Sequence, residues 1–175
     1  RPADAEETVV AWKMALEEHR PVALILSRQN IRNLPTLGRS RREEAMQAAK
    51  GAYVVVDSAK PAVVMLASGS EVSTLVEGAE LLSKEGINVR IVSVPSEGLF
   101  RDQPKSYQES VLPQGIVRYG MTSGLPVTLQ GLVGENGTIH GLDHFGYSAP
   151  YKVLDEKFGY NGQTVCDEVK KLLGK

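Results

Sequence analysis

Few residues of this chain are placed to do chemistry, and Arg28 is the first of them. It is a lone guanidinium just past the apolar run Val22-Ala23-Leu24-Ile25-Leu26, inside the polar quartet Ser27-Arg28-Gln29-Asn30. The carboxyl ends of buried strands are where α/β proteins hold ligands, although strand ends are often polar, so Arg28 taken alone reads as a surface arginine. Ser68-Gly69-Ser70 stands between another apolar run and a helical pattern. Backbone amides at such a turn bind anions well. Its first reading is a helix N-cap at Ser70, with an anion site at Ser68, Gly69 and Ser70 as the second. Gly131, Gly134 and Gly137 lack both the Gly-x-Gly-x-x-Gly spacing and a P-loop lysine, and read as turns between short elements. His140 and His144 flank Asp143 at a spacing that would suit zinc on a helix. Gly137, Gly141 and Gly146 argue against a helix there, and on a strand the two rings share a face with a wide gap, so no metal site is expected. No Ser-His-Asp or Cys-His pairing has positional support. Arg39, Arg41 and Arg42 form a basic run without interleaved aromatics, which reads as a solvated linker face rather than a nucleic-acid patch.

The elements that position these residues are legible from apolar patterning. Ala62 to Ala67 is a continuous apolar run of strand length, as expected of a strand buried on both faces. Val72, Leu75, Val76, Ala79 and Leu82 then recur at helical spacing, Gly86 supplies the stop, and Asn88 to Val94 is a second strand. This is a βαβ unit, whose crossover makes the two strands parallel. Upstream, Asp4 caps a helix whose capping box is completed by Glu7, with Val9, Trp12 and Leu16 on its apolar face together with Ala5 and Ala15. Val22 to Leu26 is a strand that one helix cannot cover on both faces. Ile31 to Arg42 reads as a linker. A short helix over Glu43–Lys50 stops at Gly51, and Tyr53 to Val56 is a strand joined to the next by only a few residues. That connection predicts an antiparallel hairpin. Beyond an irregular stretch after Pro95 come a helix over Pro104–Val111, a strand over Gly115–Tyr119, a weak helical pattern over Met121–Leu132, a short strand over Thr138–Leu142, and helices over Ala149–Phe158 and Gln163–Leu173. The expected class is α/β: a three-layer α/β/α domain with a mixed, mostly parallel sheet containing one antiparallel strand, preceded by an αβ tail.

The 175 residues carry a formal net charge of -1, which gives no long-range field to draw nucleic acid or an anionic membrane. The single cysteine, Cys166, is expected as a small buried residue on a helix. With no membrane-length apolar run and no signal-peptide pattern, the expected location is cytoplasmic. A chain that opens at Arg1 within structured sequence is expected to be part of a longer protein.

Ordered blocks along the chain carry a resemblance: Arg1-Pro2-Ala3-Asp4, Ala23 to Asn30, Gly51-Ala52-Tyr53-Val54, Ala67 to Val72, Val92 to Pro95, Glu109 to Pro113 and Phe145 to Pro150. In order and spacing the chain resembles the C-terminal part of transketolases. The resemblance implies that residues 1–36 are the tail of a pyrimidine-binding domain, 37–50 a linker and short helix, and 51–175 the C-terminal domain. It further implies a full enzyme, a homodimer, that moves a two-carbon ketol unit from a ketose phosphate to an aldose phosphate with thiamine diphosphate and Mg2+. Within this chain it assigns Arg28 to the sugar phosphate, through a planar guanidinium that suits that group. The catalytic, cofactor and metal residues fall upstream of Arg1, so the chain alone is expected to be inactive. Two alternatives are the C-terminal domain of another thiamine-dependent enzyme, such as a deoxyxylulose-phosphate synthase or a ketoacid dehydrogenase β subunit, and a regulatory module binding an anion or nucleotide at Ser68 to Ser70.

Overall fold

The computed structural model describes residues 1–175. Five strands form one sheet in the order β1-β3-β2-β4-β5: β1 (Tyr53–Val56), β2 (Val63–Ala67), β3 (Val89–Ser93), β4 (Arg118–Met121) and β5 (Thr138–His140). β2 is buried along its whole length, so its alternating side chains must fill two cores. Val63, Met65 and Ala67 join Val72, Leu75, Ala79 and Leu82 of α3 (Glu71–Lys84) and Val165, Cys166 and Val169 of α8 (Gly162–Leu172) on one face. Val64 and Leu66 face Phe100 of α4 (Glu97–Arg101), Val111 of α5 (Lys105–Val111), and Leu129 and Val133 of α6 (Val127–Val133) on the other. The three expected layers are present, and Cys166 is the buried helical residue its context suggested.

The antiparallel strand is also present, but its partner differs from the expected one. β1 pairs with β3, Tyr53 opposite Ser93, and β2 lies parallel on the far side of β3. The short link after β1 permits a hairpin without compelling one. Here it steps across β3, whose Ile91 and Val92 are buried on opposite faces as a central strand requires. α4 occupies part of the stretch read as irregular, and β4 begins at Arg118, three residues later than expected. The helix after β4 starts at Val127 behind Pro126, which tolerates the first helical turn because its missing N–H would be unpaired there anyway.

Ahead of the sheet, α1 (Ala5–Glu17) is capped by Asp4, which accepts the Glu7 amide. The reciprocal half of the expected capping box is not formed: the Glu7 carboxylate accepts from the Ala3 amide instead. The expected apolar face is likewise turned outward. Val9, Trp12 and Leu16 are 60, 53 and 80% exposed, while Val10 and Glu7 face inward. Val22 to Leu26 pairs with no strand, and residues 19–39 make no backbone–backbone hydrogen bond. After α2 (Arg41–Ala45) a 3-10 turn over Met46–Lys50 ends at Gly51, where φ is 86°. A Cβ at Gly51 would lie 2.2 Å from the Phe100 amide nitrogen, so only glycine permits this approach. Tyr151–Phe158 forms α7, and no helix is long and apolar enough to cross a membrane.

Candidate functional site

Arg28 lies in the irregular segment that follows Leu26 and is exposed, with no carboxylate in ion-pair contact. Its neighbours Ser27 and Gln29 are half-buried. They line a cleft of about 240 Å3 against Ser70, Glu71, Asp155 and Tyr160. Arg28 is not among the residues that line this cleft, whereas the residues on either side of it are.

Across that cleft, Arg1 and Glu71 organise the start of α3. The Arg1 guanidinium lies 2.9 Å from Glu71 Oε2 and 3.0 Å from Ser123 Oγ, and reaches Ser68 Oγ at 3.4 Å. The Glu71 contact is an ion pair whose N–H alignment falls short of a hydrogen bond. Burial pushes the Glu71 carboxyl above its ordinary value, and Arg1 works in the opposite direction. Ser70 occupies the N-cap position but does not cap: its hydroxyl donates to Glu71 Oε1 at 2.9 Å. The Gly69 amide, the natural anion donor of this turn, is already given to the Arg1 carbonyl at 3.1 Å. A carboxylate at the turn and an engaged amide make a poor cradle for a diphosphate.

A second polar cluster fastens α1 to the sheet. Glu7, fully buried, accepts from the Tyr53 hydroxyl at 2.6 Å, the Ser93 hydroxyl at 2.7 Å and the Ala3 amide at 2.7 Å. Arg41 donates to Asp4 at 2.5 Å through Nε and to the Tyr53 hydroxyl at 2.5 Å through Nη2. Burial raises the Glu7 carboxyl and, with the Glu7 charge, the Tyr53 phenol. Arg41 therefore departs from the solvated linker face expected of it, because Asp4 and Glu7 meet it from 37 and 34 residues away. Sequence reading missed this cluster; the one local signal was two acids on the first turn of an otherwise apolar-faced helix.

The two histidines do not converge. His140 Nδ1 lies 3.1 Å from Glu168 Oε1 and Nε2 lies 2.8 Å from the Phe158 carbonyl, whereas His144 is exposed beside the carbonyl of Phe145. Tyr119 donates to the other Glu168 oxygen at 2.7 Å. This cluster joins β4, β5, α7 and α8, and its groups are all engaged with one another. Gly131 lies inside α6 rather than in the turn expected of it, Gly134 ends that helix, and Gly137 immediately precedes β5. Nowhere do three or more His, Cys, Asp or Glu side chains gather to hold a metal ion. Together with the engaged Gly69 amide, this means that these residues do not fit a diphosphate and its metal. What the arrangement offers chemically is the exposed Arg28 guanidinium, which has no carboxylate partner.

The family described as Transketolase-like TK C-terminal domain matches residues 51–161. The transketolase of Geobacillus stearothermophilus is 40% identical over 179 aligned positions, covering 100% of this chain and 26% of that protein. Among solved structures, the transketolase of Pichia stipitis in complex with sedoheptulose 7-phosphate superposes with a TM-score of 0.89 at 32% identity, covering 99% of this chain and 25% of that one. The transketolase of Leishmania mexicana gives a TM-score of 0.87 at 38% identity with the same two coverages. The chain spans about a quarter of the length of the relatives it matches.

Proposed function

The chain belongs to the transketolase family, matching its C-terminal domain, and from that premise we propose that it is the C-terminal part of an enzyme that transfers a two-carbon ketol unit from a ketose phosphate to an aldose phosphate. Residues 1–36 are, in this reading, the end of the pyrimidine-binding domain, and 51–175 the C-terminal domain of a homodimer. The match to the transketolase-like domain along most of the chain disfavours a deoxyxylulose-phosphate synthase or a ketoacid dehydrogenase β subunit. Thiamine diphosphate and Mg2+ supply the carbanion chemistry from residues outside this chain. The chain's own contribution is to bind and orient: Arg28 takes the sugar phosphate through charge-assisted, bidentate hydrogen bonds.

The observation that carries this reading is the state of Arg28 itself. It is an exposed guanidinium without a carboxylate partner, between two residues that line the cleft against Ser70 and Glu71. A buried ion pair at this position would have left nothing for a phosphate.

The test is Arg28→Ala in the full-length enzyme. Losing a charge-assisted hydrogen bond costs on the order of 1.5–3 kcal/mol, so KM for sedoheptulose 7-phosphate rises roughly ten- to a hundredfold while KM for unphosphorylated sedoheptulose moves little. Equal effects on the two substrates would refute the assignment. The isolated chain, mixed with donor, acceptor, thiamine diphosphate and Mg2+, gives no transfer.

A further inference from the structure

The segment that carries Arg28 is joined to the rest of this chain by a single polar contact. From Pro21 to Asn33 no backbone group bonds to another, and the only hydrogen bond to the rest of the chain runs from Ser27 Oγ to Ser70 Oγ at 3.4 Å. Ser27 is the residue immediately before Arg28, so this contact acts one residue from the guanidinium.

Ser70 is prepared to receive that bond. A serine at an N-cap normally spends its oxygen on the backbone of its own helix, and here it makes no such bond. Its proton is committed to Glu71 Oε1 at 2.9 Å, which leaves its lone pairs facing Ser27. Glu71 is itself fixed, its side chain 6% exposed and its second oxygen 2.9 Å from the Arg1 guanidinium. The result is a directed chain, Ser27 to Ser70 to Glu71, in which each donor polarises the next. Its fixed end lies at the first turn of α3, on the helix that covers the central strand of the sheet.

We propose that Ser70, backed by Glu71, is a positioning residue for Arg28: the C-terminal domain sets where the phosphate-binding guanidinium stands. The proposal rests on Arg28 holding the sugar phosphate, and Ser70 reaches the substrate only through Arg28. It gives the C-terminal domain a part in substrate selection.

The experiment uses the full-length enzyme and reads the ratio of KM for unphosphorylated sedoheptulose to KM for sedoheptulose 7-phosphate. Ser70→Ala lowers that ratio about two- to tenfold, as loss of one neutral hydrogen bond predicts. Ser70→Thr, which keeps the hydroxyl, restores it. Ser27→Ala removes the same bond from its half-buried donor side and lowers the ratio equally. In an Arg28→Ala background neither alanine variant adds anything, since the residue they position is gone. If Arg28→Ala lowers the ratio while Ser27→Ala and Ser70→Ala leave it untouched, or if their effects persist without Arg28, the positioning role is overturned and the phosphate assignment stands. If Arg28→Ala leaves the ratio unchanged, both fall together.

Discussion

His140 faces a hydrogen-bond acceptor at each ring nitrogen, the Glu168 carboxylate at Nδ1 and the Phe158 carbonyl at Nε2. A neutral imidazole has only one N–H, so both contacts are hydrogen bonds only when the ring is protonated. The Phe158 carbonyl ends α7, where the helix dipole also favours positive charge. The Glu168 bond raises the His140 pKa above 6.5 against the effect of burial. Burial would raise the Glu168 carboxyl, but His140 and Tyr119 hold it below its ordinary 4.5. The signs follow. The histidine's contribution to stability is complete below 6.5 and is lost as pH rises through its elevated pKa; the carboxylate's is complete above 4.5 and is lost as pH falls through its depressed one. Urea unfolding should therefore show the gap between the parent chain and Glu168→Gln at its widest between those values and shrinking toward either extreme. A gap independent of pH would mean that the pair does not titrate as the geometry requires. Neither Glu168 nor Phe158 is near His140 in sequence, so its partners could not be read from its neighbours; the glycines around it correctly argued against a helix there.

At the scale of elements, the βαβ unit was legible because its signals are local: an apolar run, a helical repeat and a stop at Gly86. The order of strands was not, because the short link after β1 says which directions are allowed and is silent on whether β3 inserts between β1 and β2. Short α4 escaped notice for a related reason, since five residues hold barely one turn of periodicity. The packing of α3 on α8 is another long-range fact. Gly78 and Gly162 bring the helices together so closely that a Cβ at Gly78 would lie 2.4 Å from Val165 Cγ1, and one at Gly162 2.9 Å from Glu77 Cβ. Replacing a helical glycine with alanine gains about 1 kcal/mol of propensity. Overpacking a core costs about 1–3 kcal/mol, and Val165 is a fully buried, β-branched neighbour with little room to yield. Gly78→Ala should thus lower the urea midpoint, whereas a raised midpoint would show that the helices separate at little cost.

For the whole molecule, α1 and the segment after it share a core with the sheet on their inner side and expose apolar residues on their outer side. Ala3, Val10 and Leu34 share a core cluster with the sheet residues Val63 and Met65, and the Glu7–Arg41–Tyr53 cluster fixes α1 over β1 and β3. The class, the layers and the family blocks could be read from sequence. The direction α1 faces could not, since Val9, Trp12 and Leu16 repeat as an inward stripe would, and only the distant Arg41 and Tyr53 decide that Glu7 and Val10 turn in. That leaves an exposed apolar stripe on α1, and Ile25 and Leu26 are exposed as well. Trp12, 53% exposed within this stripe, is the only tryptophan of the chain. The intrinsic fluorescence of the protein therefore reports on a single surface: anything that covers α1 moves one indole out of water and shifts its emission to shorter wavelength, without a label being added.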